Sequence, residues 1–275
     1  MIQSLLELFS FPFMVNALIA GTAVAVLTGV AGWFVVLRGE SFAAHTLAVI
    51  GFPGAAGAAL IGAPPLLGYF AVTGLGAFAI AGRGGDGERR ITESAVIGTL
   101  QACALALGYL FVTMAHSNLS ATQSLLFGSF LGISEEQALW SVLITLAVLA
   151  CFVAIGRPLL FTSIDGDVAR ARGVPVRALG LAFIVVIGVA VAEASQITGS
   201  LLVFALIVMP PATARALTAR PGLGIAASAG LALLVTWGGL VTSYYTNYPV
   251  GFTVTTLAFA LLMIAQASSR LRASR

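Results

Sequence analysis

Charge is what this chain has least of. It contains no lysine, two cysteines and two histidines, and only 8% of its 275 residues are charged. A soluble domain must cover itself with polar and charged side chains, so this poverty excludes the ordinary soluble classes. There is no GxxxxGK[ST] segment, so the chain is not itself a P-loop ATPase, and neither an HExxH nor a GxSxG arrangement supports an intramembrane hydrolase. A non-catalytic role is expected, with no tightly bound cofactor. The alternating apolar/polar pattern of a membrane β-barrel is missing as well. Cys103 and Cys151 lie far apart within apolar runs and read as small packing residues rather than as a disulfide or metal pair. The opening MIQSLLELFSFPF has no basic region and no small-residue cleavage site, so no removable signal peptide is expected. The net charge of +3 does not describe a nucleic-acid surface, because the arginines fall at the ends of apolar runs.

What is present is hydrophobic sequence, 59% of the residues, in runs long enough to cross the ~30 Å hydrocarbon core. Backbone groups in lipid must be satisfied within their own segment, so these runs are helices. The reading is an all-α polytopic membrane protein forming one domain over residues 1–275. Nine spans are expected, at about 12–37, 41–62, 65–82, 92–114, 137–157, 178–194, 198–218, 222–244 and 251–268, with a count of eight also compatible. Placing the N-terminus outside puts all thirteen arginines, from Arg38 to Arg275, on the cytoplasmic side, as the positive-inside rule asks. The C-terminus is then cytoplasmic. Glu7, His116, Glu135, Glu136 and the cluster Tyr244–Tyr248 fall outside. The segment 115–136 contains a stretch, Ser117–Ile133, too short and glycine-interrupted to span, and is expected to form an external loop with a re-entrant or interfacial helix.

Few polar groups interrupt the spans. His45 lies in the second, eight residues before Pro53, which cannot donate to the Val49 carbonyl. A helix broken beside an imidazole offers lone pairs to a cation; an imidazole satisfied by a neighbouring helix or water is the simpler alternative. Pro210-Pro211 frees the Leu206 and Ile207 carbonyls of the seventh span and suggests a hinge or an unwound path-lining element. Glu193, three residues before Gln196, either reaches the outer interface or stands as a carboxylate at the mouth of a cation path. Glu93 complements the helix dipole at the start of the fourth span. Between the fifth and sixth spans, residues 159–179 gather two aspartates, three arginines, two glycines and a proline. Ser163 or an aspartate can cap a short helix at Asp167–Arg172, with Gly173 and Pro175 ending it. A polar, capped helix held between two spans suggests a handle for a partner protein.

These motifs resemble the membrane permease subunits of the zinc/manganese class of ABC importers over about Phe13–Ala265. FVVLRGESF is similar to that family's end of helix one. ESAVIG at 93–98, QSLLFGSFLGIS at 123–134, DGDVARARGVPVRAL in the handle and GSLLVFALIVMPPATAR in the seventh span resemble further family segments in the same order. The resemblance implies a type II-like importer permease in a bacterial cytoplasmic membrane, a homodimer with a second copy or a pseudo-dimer, with a path along the two-fold axis. It implies two cytoplasmic ATPase subunits that bind ATP and grip Asp165, Asp167, Arg170, Arg172 and Gly173. An extracytoplasmic metal-binding protein would dock outside. Zn²⁺ or Mn²⁺ would pass transiently, with His45 as the path ligand, Glu193 at the outer mouth and Pro53, Pro210 and Pro211 as path or hinge elements.

One position departs from the family. Its members carry an Asp and, four residues on, a His; this chain has His45 and Val49 in those places. An imidazole without a carboxylate suits Zn²⁺ better than Mn²⁺, which prefers oxygen. A metal-chelate or siderophore cargo, or a stand-alone channel or secondary carrier, are the competing expectations.

Overall fold

The computed structural model describes residues 11–81, 90–115, 128 and 130–273. Among the described residues ten α-helices follow one another: α1 (Pro12–Arg38), α2 (Ser41–Leu60), α3 (Pro65–Ala81), α4 (Arg90–Met114), α5 (Glu135–Ile164), α6 (Gly166–Ala171), α7 (Val176–Thr198), α8 (Ser200–Leu217), α9 (Pro221–Thr246) and α10 (Val250–Ala273). A 3₁₀ turn, Phe130–Gly132, precedes α5. Among the described residues eight helices are long and apolar enough to cross a membrane. The remaining hydrophobic helix, α3, has 17 residues, about 25 Å at 1.5 Å per residue. The all-α, multi-pass reading therefore holds, with eight helices of spanning length and one shorter apolar helix among the described residues. The re-entrant helix expected within 115–136 falls largely outside the described residues.

α1 is the hub. It is the most buried span, packing against α9, α5, α8 and α7, while α4, α5 and α10 turn most of their surface outward. A helix that is apolar all round can be buried on every side, and α1 can be approached closely because of its small residues. Gly32 shows why. The Ile207 carbonyl of α8 and the Pro211 ring lie where a β-carbon on Gly32 would sit. Pro211 cannot donate to Ile207 within the helix, and that freed carbonyl is pressed onto α1 instead. On the other side of the bundle α2 and α3 cross at Gly54 and Gly68, each facing the other's carbonyl oxygen.

The two ends of the bundle differ. At one end α1 closes with Gly39 at φ 71°, its N–H and that of Glu40 bonding back to Val36 and Val35, and Arg215 at the end of α8 donates to the Val36 carbonyl at 2.7 Å. The α6 handle lies at this same end, since Arg38 reaches Ser163 at the close of α5. At the opposite end Asn16 donates to Ile133 O, and Ser243 caps the α9–α10 turn through Tyr248 O.

Local chemistry corrects several sequence expectations. α5 does not stop near residue 157 but continues through Pro158 to Ile164. Its start is a full capping box in which Ser134 and Gln137 satisfy each other's backbone N–H groups. Neither α2 at Pro53 nor α8 at Pro210-Pro211 is broken or unwound; both run unbroken with all three prolines buried. Packing against α1 and α3 holds those turns helical despite the lost hydrogen bonds. Cys103 and Cys151 are free and exposed on the bundle's outer face rather than packed inside it, where a thiol is apolar enough to meet lipid.

Candidate transport path and coupling site

His45 stands on α2, just past its first turn, and is half-buried. Its ring lies 4.5 Å from that of Phe204 on α8, tilted at 49°, and its Nδ1 is enclosed without a hydrogen-bond partner. An enclosed, unpaired ring nitrogen is a group whose lone pair or proton has no partner among the described residues. Among the described residues no group of three or more His, Cys, Asp or Glu side chains comes together. Among the described residues His45 is thus an imidazole without a second and third metal-ligating side chain grouped around it. Val49, one turn along, is buried at 3% exposure.

The turn ahead of Pro53 is braced from α3. Tyr69, fully buried, donates its hydroxyl to the Ala48 carbonyl, and its ring occupies the space that a side chain at Gly51 would need. Thr73 reaches the Leu47 carbonyl at 3.5 Å. The sequence reading missed Tyr69 and Phe204. A lone tyrosine inside an apolar helix was the available signal, because its hydroxyl must find a partner when buried.

Glu193 does not reach an interface. It is 4% exposed in the last third of α7, with Ser141 of α5 as its polar neighbour. The physical reason is the length of α7, which runs to Thr198 rather than ending near 194 and so carries Glu193 inside the bundle.

The handle is built as its sequence suggests, one residue earlier. α6 spans Gly166–Ala171, and Asp165 rather than Ser163 is its cap, accepting from the Asp167 and Val168 N–H groups at 3.1 and 2.9 Å. Ser163 is still part of α5 and bonds Leu159 O. Gly173, at φ 79°, and Val174 return hydrogen bonds to Arg170 and Ala169, the paired pattern that satisfies the last carbonyls of a helix. Ala169 is completely buried and anchors α6 against the bundle. Asp165, Asp167, Arg170, Arg172 and Gly173 are all exposed, and Arg170 pairs with Asp167 at 3.1 Å. That is a rigid, polar, outward-facing element on a fixed foot.

Residues 10–269 match the ABC 3 transport family. The chain belongs to that family. Relatives are similar over most of their length. The manganese transport system membrane protein MntC of Halalkalibacterium halodurans is 29% identical, the match covering 94% of this chain and 88% of the relative. The chelated iron transport system membrane protein YfeC of Yersinia pestis is also 29% identical, over 94% of this chain and 86% of the relative. Among solved structures, PsaBC from Streptococcus pneumoniae in complex with Fab superposes with a TM-score of 0.86 at 27% identity, covering 96% of this chain and 95% of that one. As an ABC 3 transport family member the chain is a multi-pass membrane subunit of an ABC transporter, and it superposes on the PsaBC chain almost end to end.

Proposed function

We propose that this chain is the permease subunit of an ATP-driven importer of first-row divalent metal ions, working as two copies about a shared path and energised by separate ATPase subunits. The observation that carries this reading is the end-to-end structural likeness to PsaBC, with the relatives named for manganese and chelated-iron transport in support. Two copies would bring two His45 imidazoles to one path, a weak site from which an ion can leave. The α6 handle is the grip for the ATPase, and an extracytoplasmic metal-binding protein delivers cargo at the opposite end. The arginine bias supports a cytoplasmic handle end, and with it a cytoplasmic C-terminus.

The cargo follows from ligand chemistry and from the relatives, which pull apart. Imidazole without carboxylate suits zinc better than manganese, yet the relatives' names give manganese and chelated iron and do not support a preference for zinc. Vesicles containing the chain, its ATPase and its binding protein should accumulate one of labelled Zn²⁺, Mn²⁺ or chelated iron only with ATP, and His45→Ala should abolish that uptake while the complex stays assembled. Accumulation indifferent to ATP would replace the importer with a channel or secondary carrier. Uptake of the chelate alone, with His45→Ala unaffected, would favour a chelate permease.

A further inference from the structure

Arg38 closes α1 at the handle end, and its side chain is only 19% exposed although it lies at the edge of the bundle. Its Nε donates to Glu40 Oε1 at 2.9 Å, its Nη1 to Ser163 Oγ at 3.3 Å, and the guanidinium stacks 4.9 Å above the Phe183 ring. Those three partners belong to three different elements. Ser163 is the last residue but one of α5, two residues before Asp165 caps the handle. Phe183 lies on α7, which follows the handle. Glu40 precedes α2, its carbonyl accepts the first helical bond from Ala44, and His45 follows five residues on.

We propose that Arg38 is the positioning residue that carries movement of the α5–α6–α7 handle to the helix bearing His45. The chemistry suits that task. A guanidinium is planar and presents its donors in a fixed fork, so it cannot satisfy Glu40 and Ser163 while stacked on Phe183 unless all three keep their relative places. If the handle moves with Phe183 and Ser163, Arg38 either follows, shifting Glu40 and the start of α2, or gives up its contacts at a site largely withdrawn from water. An arginine serving only the positive-inside bias would extend into solvent. Arg215, donating to Val36 O two residues earlier, fixes the end of α1 to α8, so the turn carrying Arg38 has a firm base. Gly39, in the left-handed region, lets the chain reverse at once into Glu40 and brings both charges side by side.

This inference rests on the importer reading, and the test separates the two. The complex of permease, ATPase and binding protein is reconstituted in vesicles. ATP hydrolysis and uptake are then measured together, using whichever of labelled Zn²⁺, Mn²⁺ or chelated iron the wild type accumulates. Arg38→Gln is expected to assemble and hydrolyse ATP while the ions moved per ATP fall about tenfold, within the range of ordinary coupling between sites. Arg38→Lys, which keeps charge without the fork, should recover only part of that ratio. Phe183→Leu keeps an apolar side chain but removes the stacking face, and should lower the ratio in an assembled complex. A role in folding alone would lower uptake and hydrolysis in proportion. An unchanged ratio in Arg38→Gln overturns the inference and leaves the importer standing. Should Arg38→Gln fail to assemble, an unchanged ratio in Phe183→Leu overturns it equally. A wild-type complex with no ATP-dependent uptake overturns both readings.

Discussion

The His45 imidazole and the Phe204 ring meet at 4.5 Å across the α2–α8 contact, and the imidazole Nδ1 is enclosed. Neither residue predicts the other from sequence, since 159 positions separate them. Phe204→Ala should uncover the imidazole. Diethylpyrocarbonate modification of His45, read by mass spectrometry, is expected to rise several-fold over wild type, roughly the gain from losing an aromatic contact of about 1 kcal/mol. Equal modification in both proteins would show that Phe204 does not shield the ring.

Asp165 caps α6 through two hydrogen bonds. Asp165→Ala should cost this short helix about 1 kcal/mol, and Asp165→Ser should restore much of it. Retained ATPase is the readout: association is expected to weaken with alanine and recover with serine. The exposed Arg170–Asp167 pair adds little to stability, so Arg170→Glu should act on partner association and leave the melting temperature of the isolated permease unchanged.

Gly32 and Gly74 make opposite predictions for the same substitution. Gly32→Ala drives a β-carbon into the Ile207 carbonyl and the Pro211 ring, whereas nothing lies within 4 Å of the corresponding position at Gly74. Gly32→Ala should destabilise by about 1–3 kcal/mol, as overpacking does. Gly74→Ala should be neutral or slightly stabilising, because alanine is the better helix former. Thermal unfolding in detergent decides, and a Gly32→Ala protein as stable as Gly74→Ala would contradict the close α1–α8 contact.

Tyr69→Phe removes one hydroxyl and keeps the ring that fills the space beside Gly51. The loss of its bond to Ala48 is expected to cost about 1 kcal/mol. Faster amide hydrogen exchange in α2 between Ala48 and Pro53 should accompany it, with the rest of the bundle unaffected. Exchange that quickens everywhere would mean global loosening rather than release of one brace.

Glu193 is buried beside Ser141, and the described residues place no cluster of metal-ligating side chains around it. Glu193→Gln keeps the shape and hydrogen-bonding capacity of the side chain. Uptake by the full complex is expected to stay close to wild type, and a loss comparable to that of His45→Ala would put Glu193 on the ion path.

The handle was legible because its instructions are local. Asp165, Gly173 and Pro175 act within one or two turns of the backbone they cap or stop, so spacing alone located α6 to within a residue. The choice between Asp165 and Ser163 was not legible, because it depends on where α5 ends, and α5 continued through Pro158 where an isolated proline argues for a stop. The same override kept α2 and α8 intact at Pro53 and Pro210-Pro211. A proline removes a donor, but the neighbouring helices determine whether the turn opens.

Apolar run length, arginine placement and the capping residues determined from sequence alone that this chain is a bundle of membrane helices with one polar handle, since each acts through the backbone or the bilayer next to it. The tertiary structure decided which side chains meet: Phe204 over His45, Tyr69 under Ala48, Arg38 among Glu40, Ser163 and Phe183, and Glu193 inside rather than at an edge. The physical reason is that helices apolar on every side carry no periodic stripe to announce their inner face. In lipid, close approach at small residues such as Gly32 and Gly54 selects that face, and only the assembled helices show which glycine meets which carbonyl.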